Sequence, residues 1–218
     1  MNQNEFLERL RTDFPDVTPA QEDKFKAMET LYNEWNAKIN VISRKDMDGL
    51  YEHHVLHSLA IAKYLQLRQG MTGIFRTAEV LDLGTGGGFP GIPLAVLFPE
   101  ARFTLCDSVG KKTIVAEAVS KALGLENVKV VNARAESLPG QFDFVVSRAV
   151  TSLVDFYPWV KGKYRRGILY LKGGDIVEEI AEIMSRHRLR RDQVHTWPVD
   201  NWLENDYFSG KLVIEIEK

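Results

Sequence analysis

Apolar positions along the 218-residue chain change their period once. Up to about residue 66 they recur at helical spacing. Phe25, Met28, Leu31, Tyr32 and Trp35 fall three or four apart, and Leu50, His54, Leu56, Leu59, Ile61 and Leu65 mark the inner face of a helix over about 47–65. Thr18-Pro19 is a helix-start signal, and Asn2 or Asn4 caps a shorter first helix that ends before Pro15. After Gly70–Gly73 the pattern shortens to apolar runs at 79–83, 102–106, 128–132, 142–147, 167–172, 192–199 and 211–217. Helical stretches at 90–98, 111–124, 151–160 and 175–187 separate the early ones. Strands alternating with helices imply right-handed βαβ units and a parallel sheet. Only the loop Asp200–Ser209 joins the last two runs, which predicts an antiparallel pair closing the sheet. The expectation is an α/β fold with a seven-stranded, mostly parallel sheet in residues 67–218, preceded by a helical extension in 1–66.

Composition narrows the class. Hydrophobic residues make up 44% and charged residues 27%, ordinary values for a globular domain. The one cysteine, Cys106, excludes a disulfide framework and any cysteine-based zinc site, and no metal is expected. No apolar run approaches the length that crosses a bilayer and no signal peptide is visible, so a cytoplasmic protein without a membrane partner is expected. The net charge is −2, yet basic residues cluster at Lys161, Lys163, Arg165 and Arg166, and again at Arg186, Arg188, Arg190 and Arg191. Two such clusters in an acidic chain suggest a phosphate-facing surface.

The segment EVLDLGTGGGFPGIPLA at 79–95 carries the chemistry. A buried strand bearing Asp82 runs into Gly84, Gly86, Gly87 and Gly88 and then a new helix, as nucleoside-cofactor sites at the C-terminal edge of a parallel sheet require. Gly86-x-Gly88-x-x-Gly91 also satisfies the dinucleotide fingerprint, but Phe89 and Pro90 fill the space where a pyrophosphate would pass. Asp82 instead suits the cationic end of S-adenosylmethionine. Asp107, ending the second strand, suits the ribose hydroxyls of either cofactor, or caps the following helix.

The seven strands with a terminal antiparallel hairpin are the plan of the class I, Rossmann-like methyltransferases. DLGTGGGFPGIPLA at 82–95, TLCDSVGKK at 104–112, ARAES at 133–137, FDFVVSRAV at 142–150 and LKGG at 171–174, with NAKIN at 36–40 and HVLHS at 54–58, go further. Together they closely resemble the RsmG family, the bacterial small-subunit ribosomal RNA guanine-N7 methyltransferases also called glucose-inhibited division protein B. The resemblance implies methyl transfer from S-adenosylmethionine to N7 of a guanine in 16S ribosomal RNA; the small ribosomal subunit as its setting and a monomeric state are further expectations. The resemblance also implies that Gly84 and Phe89 line the cofactor site, that Asp107 lies at the ribose, Ala135 and Glu136 near the adenine, and Arg148 near the methionine end and the target. The chain departs from the family pattern at His57, where an aspartate is usual, and at Lys112, where an arginine is usual.

Guanine N7 carries an in-plane lone pair, so its methylation needs alignment and a polar surround rather than a strong general base. The residues agree: there is no Asn/Asp-Pro-Pro-aromatic motif, and Cys106 is poorly placed for covalent attack. Arg148, at a strand end, can bind the cofactor carboxylate, guanine O6 or a phosphate. Lys172 can bind RNA phosphate or close the site. Arg148 and Lys172 are the candidate catalytic residues, and Asp82, Gly84, Gly86, Phe89, Asp107, Ala135, Glu136 and Arg148 the candidate cofactor contacts. Two other functions remain open on the residues alone: a small-molecule methyltransferase with the helical extension as a lid, and a non-catalytic RNA-binding assembly protein. Basic clusters ringing the cleft mouth would favour RNA.

Overall fold

Seven short runs rich in Val, Ile, Leu and Phe pair into one sheet in a computed structural model that describes residues 1–174 and 176–218. The strands are β1 (Glu79–Leu83), β2 (Arg102–Asp107), β3 (Val128–Asn132), β4 (Phe142–Arg148), β5 (Tyr164–Gly173), β6 (Val194–Pro198) and β7 (Lys211–Glu217). Their order is β3-β2-β1-β4-β5-β7-β6. The first five run parallel, while β7 is antiparallel to both β5 and β6. Chain direction across the sheet therefore switches between β1 and β4, and a crevice opens beyond their carboxyl ends, where such sheets bind ligands.

The helices are α1 (Gln3–Asp13), α2 (Pro19–Lys38), α3 (His57–Leu67), α4 (Met71–Phe75), α5 (Gly91–Leu97), α6 (Gly110–Ala122), α7 (Leu153–Val160) and α8 (Val177–His187). Capping boxes at Asn2 with Glu5 and at Thr18 with Gln21 start α1 and α2. Strand alternation divides the core in two. Val80, Phe103, Phe144 and Leu169 face α5, α6 and the N-terminal helices, whose Phe6, Phe25, Met28 and Tyr32 join the same apolar cluster. Leu81, Val145, Ile168 and Ile214 face α7 and α8. Each fully buried Leu or Phe contributes about 1.5–3 kcal/mol by leaving water, so the extension is held to the sheet by its own buried face. Tyr64 on α3 adds a hydrogen bond to the buried Glu215 on β7 at 2.7 Å.

Three elements differ from the sequence expectation. The helix expected over 47–65 is a 3₁₀ segment (Arg44–Gly49), a π-helical turn (Leu50–Leu56) and then α3. The segment around Gly73, for which no element is expected, contains α4, whose Phe75 is fully buried among Phe98, Phe103 and Phe144. β5 begins three residues early at Tyr164, where a bulge lets Phe142 pair with Tyr164 and Phe144 with Gly167. Asp175, the expected start of the last helix, lies outside the described residues.

Candidate active site

The glycine turn follows β1 at the switch point. Gly86 has φ +56°, and a Cβ there would meet nothing within 4 Å, so this position leaves the cleft open to a ligand. Gly91 is the opposite case: a Cβ would lie 2.2 Å from Leu105 Cδ2 and 2.6 Å from Asp82 Oδ2. That packing explains Asp82. Its fully buried carboxylate turns under the loop, where Oδ2 accepts from Thr85 Oγ1 at 2.6 Å and from the Gly91 amide at 2.8 Å. Burial pushes the Asp82 carboxyl up to about 7. Asp82 is not among the residues that line the cleft: it fastens the loop from below through Oδ2, and its Oδ1 has no hydrogen-bond partner among the described residues. From the extension, Tyr32 donates to the Gly87 carbonyl at 2.9 Å and packs its ring on Phe89.

The cleft has a volume of about 790 Å³ and brings together Gly84, Gly86, Phe89, Asp107, Ala135, Glu136, Arg148 and Lys172. At one end Asp107 accepts from the Gly86 amide at 2.9 Å and from the Val109 amide at 2.8 Å. It latches the glycine loop to the end of β2 and closes a turn before α6 rather than capping that helix, whose cap residue is Val109. Each oxygen keeps a lone pair for a ligand hydroxyl.

At the other end Arg148 is held by the extension. It donates to the His53 carbonyl at 3.0 Å and to His54 Nδ1 at 2.9 Å, with Cζ 5.1 Å from the Phe89 ring centre. Two of its five N–H groups are thus anchored. Asp143, a carboxylate on the same strand, binds Arg165 instead. Lys172 lines the cleft with its charge already matched, bonded to Glu179 at 2.8 Å and to the Thr151 carbonyl at 3.2 Å. His57 is buried edge-on against Tyr207 and Phe208, and burial holds its ring well below the usual histidine range. Sequence reasoning misses the roles of His54 and Asp46; the signal is their eight-residue spacing, about two helical turns, on a segment leading to the cleft.

The basic clusters do not ring the cleft. Arg165 and Arg166 sit at the amino end of β5, where Arg165 binds Glu79 at 2.6 Å and Asp143 at 3.0 Å. Arg188 and Arg190 lie between α8 and β6, whose first residue, Val194, pairs with Ile216 beside the start of β5. Both clusters occupy the edge opposite the crevice, which corrects the expected phosphate-facing surface. At the cleft itself the cations without an ion pair among the described residues include Lys112 and Arg134. The segment after α2 does reach it. Asn36 accepts from the Val41 and Ile42 amides at 2.8 and 2.9 Å, and Val41 lines the cleft beside Gly87. Away from the cleft, His195, Glu215 and Glu217 converge on β6 and β7, where Arg68 binds both carboxylates.

A fold comparison finds the same Rossmann-like fold in solved methyltransferase structures. It resembles the magnesium protoporphyrin IX methyltransferase of Synechocystis with bound SAM over 100% of this chain and 98% of that one (TM-score 0.61, 13% identity). It also resembles the 16S rRNA N2 G1207 methyltransferase of T. thermophilus, in complex with AdoMet and guanosine, over 74% and 43% of the two chains (TM-score 0.55, 19% identity). These likenesses show the fold. Sequence relatives are nearer. The ribosomal RNA small subunit methyltransferase G of Bacteroides thetaiotaomicron is 53% identical over 92% of this chain and 95% of its own. That of Flavobacterium psychrophilum is 47% identical over 96% and 97%. The model of the GidB family, described as rRNA small subunit methyltransferase G, matches residues 21–200. With glycine loop, strand order and full-length similarity in agreement, the chain belongs to the GidB family of S-adenosylmethionine-dependent methyltransferases.

Proposed function

We propose that this protein transfers a methyl group from S-adenosylmethionine to N7 of a guanine in 16S ribosomal RNA, acting as a cytoplasmic monomer on the small ribosomal subunit. The observation that carries the reading is the cleft at the β1/β4 switch point. Its loop leaves open space at Gly86, and its inner end is walled by a positioned arginine. No helix is long and apolar enough to cross a membrane among the described residues.

The residues present fit the cofactor. Asp107 would take the ribose hydroxyls, with Ala135 and Glu136 beside the adenine. The open face of Gly86, beside Gly84, would admit the amino-acid portion, with Phe89 and Arg148 at its end. When bound, the cofactor supplies an electrophilic methyl on sulfur. The chain's own part is alignment. Arg148 presents its unanchored N–H donors to the cofactor carboxylate or the guanine edge, and Phe89 limits where those donors can point. Lys172, neutralised by Glu179, closes the wall at the end of β5. Lys112 and Arg134 would meet RNA phosphate at the rim. No side chain must remove a proton, because N7 reacts through its lone pair. The helical extension (1–66) serves the methyltransferase domain (67–218) by holding the loop and Arg148.

Small subunits from cells lacking the protein, incubated with labelled cofactor and enzyme, test this. Mass mapping is expected to place the label on N7 of a guanine in 16S RNA. Label on another atom or another RNA, or none, would refute the reading.

A further inference from the structure

The segment between α2 and α3 carries a hydrogen-bonded chain of polar side chains that leads to the cleft. Asp46 stands on the 3₁₀ segment. Its two carboxylate oxygens take separate partners, Oδ1 the His53 Nδ1 and Oδ2 the His54 Nε2 at 2.7 Å. The π-helical turn presents these consecutive histidines together, a widening of the helix often found at functional sites. Gly49 makes the room, since a Cβ there would lie 2.4 Å from His53 Nδ1. Beyond the histidines lies Arg148. His54 Nδ1 receives one of its N–H groups at 2.9 Å, and the His53 carbonyl receives another at 3.0 Å and the Tyr207 hydroxyl at 3.1 Å.

This arrangement admits one protonation pattern. Arg148 has donors only, so His54 Nδ1 must offer a lone pair, and the N–H must sit on Nε2, facing Asp46. Burial, and then the charge of Arg148, push His54 down to about 4, so the ring is neutral at physiological pH. For Asp46, burial raises the carboxyl, but the hydrogen bonds from His53 and His54 outweigh it and hold it below the ordinary value. A carboxylate behind a histidine thereby sets both its tautomer and its ring orientation.

We propose that His54, backed by Asp46, is a positioning residue that fixes the orientation of Arg148 at the reaction centre, so that residues 44–56 of the extension govern alignment of methyl donor and acceptor. The proposal rests on Arg148 acting at the cofactor or the guanine. Without His54, the guanidinium keeps its anchor on the His53 carbonyl and its stacking on Phe89, but no longer has the hydrogen bond that fixes its rotation.

The test compares single-turnover methylation of small subunits by the full-length protein and its variants. His54→Phe keeps a ring against Phe89 and removes both hydrogen bonds. It is expected to slow transfer on the order of 10–100-fold, as misalignment of about an ångström does. His54→Asn, which retains an acceptor near the Nδ1 position, is expected to recover most of the lost rate. In an Arg148→Ala background, His54→Phe is expected to add no further loss. An undiminished loss in that background, or no rescue by His54→Asn, would overturn the proposal. Independently of any variant's folding, nitrogen-15 NMR of the unaltered protein is expected to show His54 as the neutral Nε2–H tautomer. The Nδ1–H tautomer would overturn the proposal even if Arg148 proves essential. Parental rates in Arg148→Ala alone would instead refute the reading of Arg148 on which the proposal stands.

Discussion

Gly91→Ala separates the loop's packing from its ligand face. The added methyl would sit 2.2 Å from Leu105 Cδ2 and 2.6 Å from Asp82 Oδ2, both in the buried layer beneath the turn. Overpacking of that kind costs about 1–3 kcal/mol. Displacing Asp82 also weakens the charge-assisted bond to the Gly91 amide, at about 1.5–3 kcal/mol. A combined loss of roughly 2.5–6 kcal/mol predicts a melting temperature lowered by roughly 5–24 °C in a chain of this size. Gly86→Ala is the control. Its methyl meets no atom, so the cost is confined to the left-handed backbone, about 1–2 kcal/mol. Because Gly86 lines the cleft, its variant is expected to lose cofactor affinity out of proportion to stability. Paired thermal melts and calorimetric titration with S-adenosylmethionine measure both. A Gly91→Ala protein that melts within a degree or two of the parent and binds cofactor normally would refute the account of Asp82 as the fastening beneath the loop.

Arg148→Ala is expected to melt near the parental temperature and lose most methyl transfer, with Arg148→Lys recovering little because a point charge does not reproduce a planar donor fork. Near-parental single-turnover rates would show that the arginine is structural. Charge reversal at Arg165 and Arg166 is expected to leave ribosomal RNA affinity unchanged. Reversal at Lys112 and Arg134 is expected to weaken it and to flatten the salt dependence by roughly 0.9 for each phosphate no longer neutralised; filter binding across a salt series distinguishes the two. Asp82→Asn is expected to change the pH dependence of stability. The folded carboxyl is raised from its ordinary value to about 7, so its contribution is present at low pH and is lost as pH rises through 7. Denaturant melts from pH 5 to 8 are expected to show the parent falling relative to Asp82→Asn, by on the order of a few kcal/mol. A constant difference would show that Asp82 is ionised throughout.

How far the molecule can be read from its sequence depends on the kind of interaction. Buried strands announce themselves locally, and β1, β3 and β7 coincide with the apolar runs at 79–83, 128–132 and 211–217. The glycine turn is legible because its backbone demands are local too. The break between 44 and 57 is not, because Leu50, Leu56 and Leu59 are compatible with one regular helix, while the partners of the histidines on the widened turn at 50–56 are Asp46 and Arg148, and Arg148 lies 94 residues beyond His54. The place of Asp82 beneath the loop is hidden for a related reason. A carboxylate before a glycine turn can point up to a ligand or down to the helix start, and only the packing of Gly91 against it decides. The basic clusters are a different case, since their placement is open to inference. Arg165 and Arg166 precede the main apolar run of a parallel strand, and the crevice of such a sheet lies at the strands' other end.

The structure gives a reason why the helical extension and the α/β domain share one cleft. A parallel sheet delivers residues such as Arg148 to its carboxyl edge, but beyond the last ladder hydrogen bond nothing in the sheet fixes a long side chain. Arg148 can orient only if groups from another layer meet it there, and the chain supplies them from one stretch. Tyr32 ties down the Gly87 carbonyl, Val41 packs beside Gly87, and His53 and His54 anchor the guanidinium. These contacts all come from residues 32–54, where Asn36 pins the backbone and Asp46 holds the two histidine rings. Alignment is the principal contribution a protein can make to a methyl transfer that needs no base, and positioning of reactants can supply roughly 7–11 kcal/mol in favourable cases. The change of hydrophobic period near residue 66 therefore divides two ways of folding a chain, while the cleft is assembled from both sides of it.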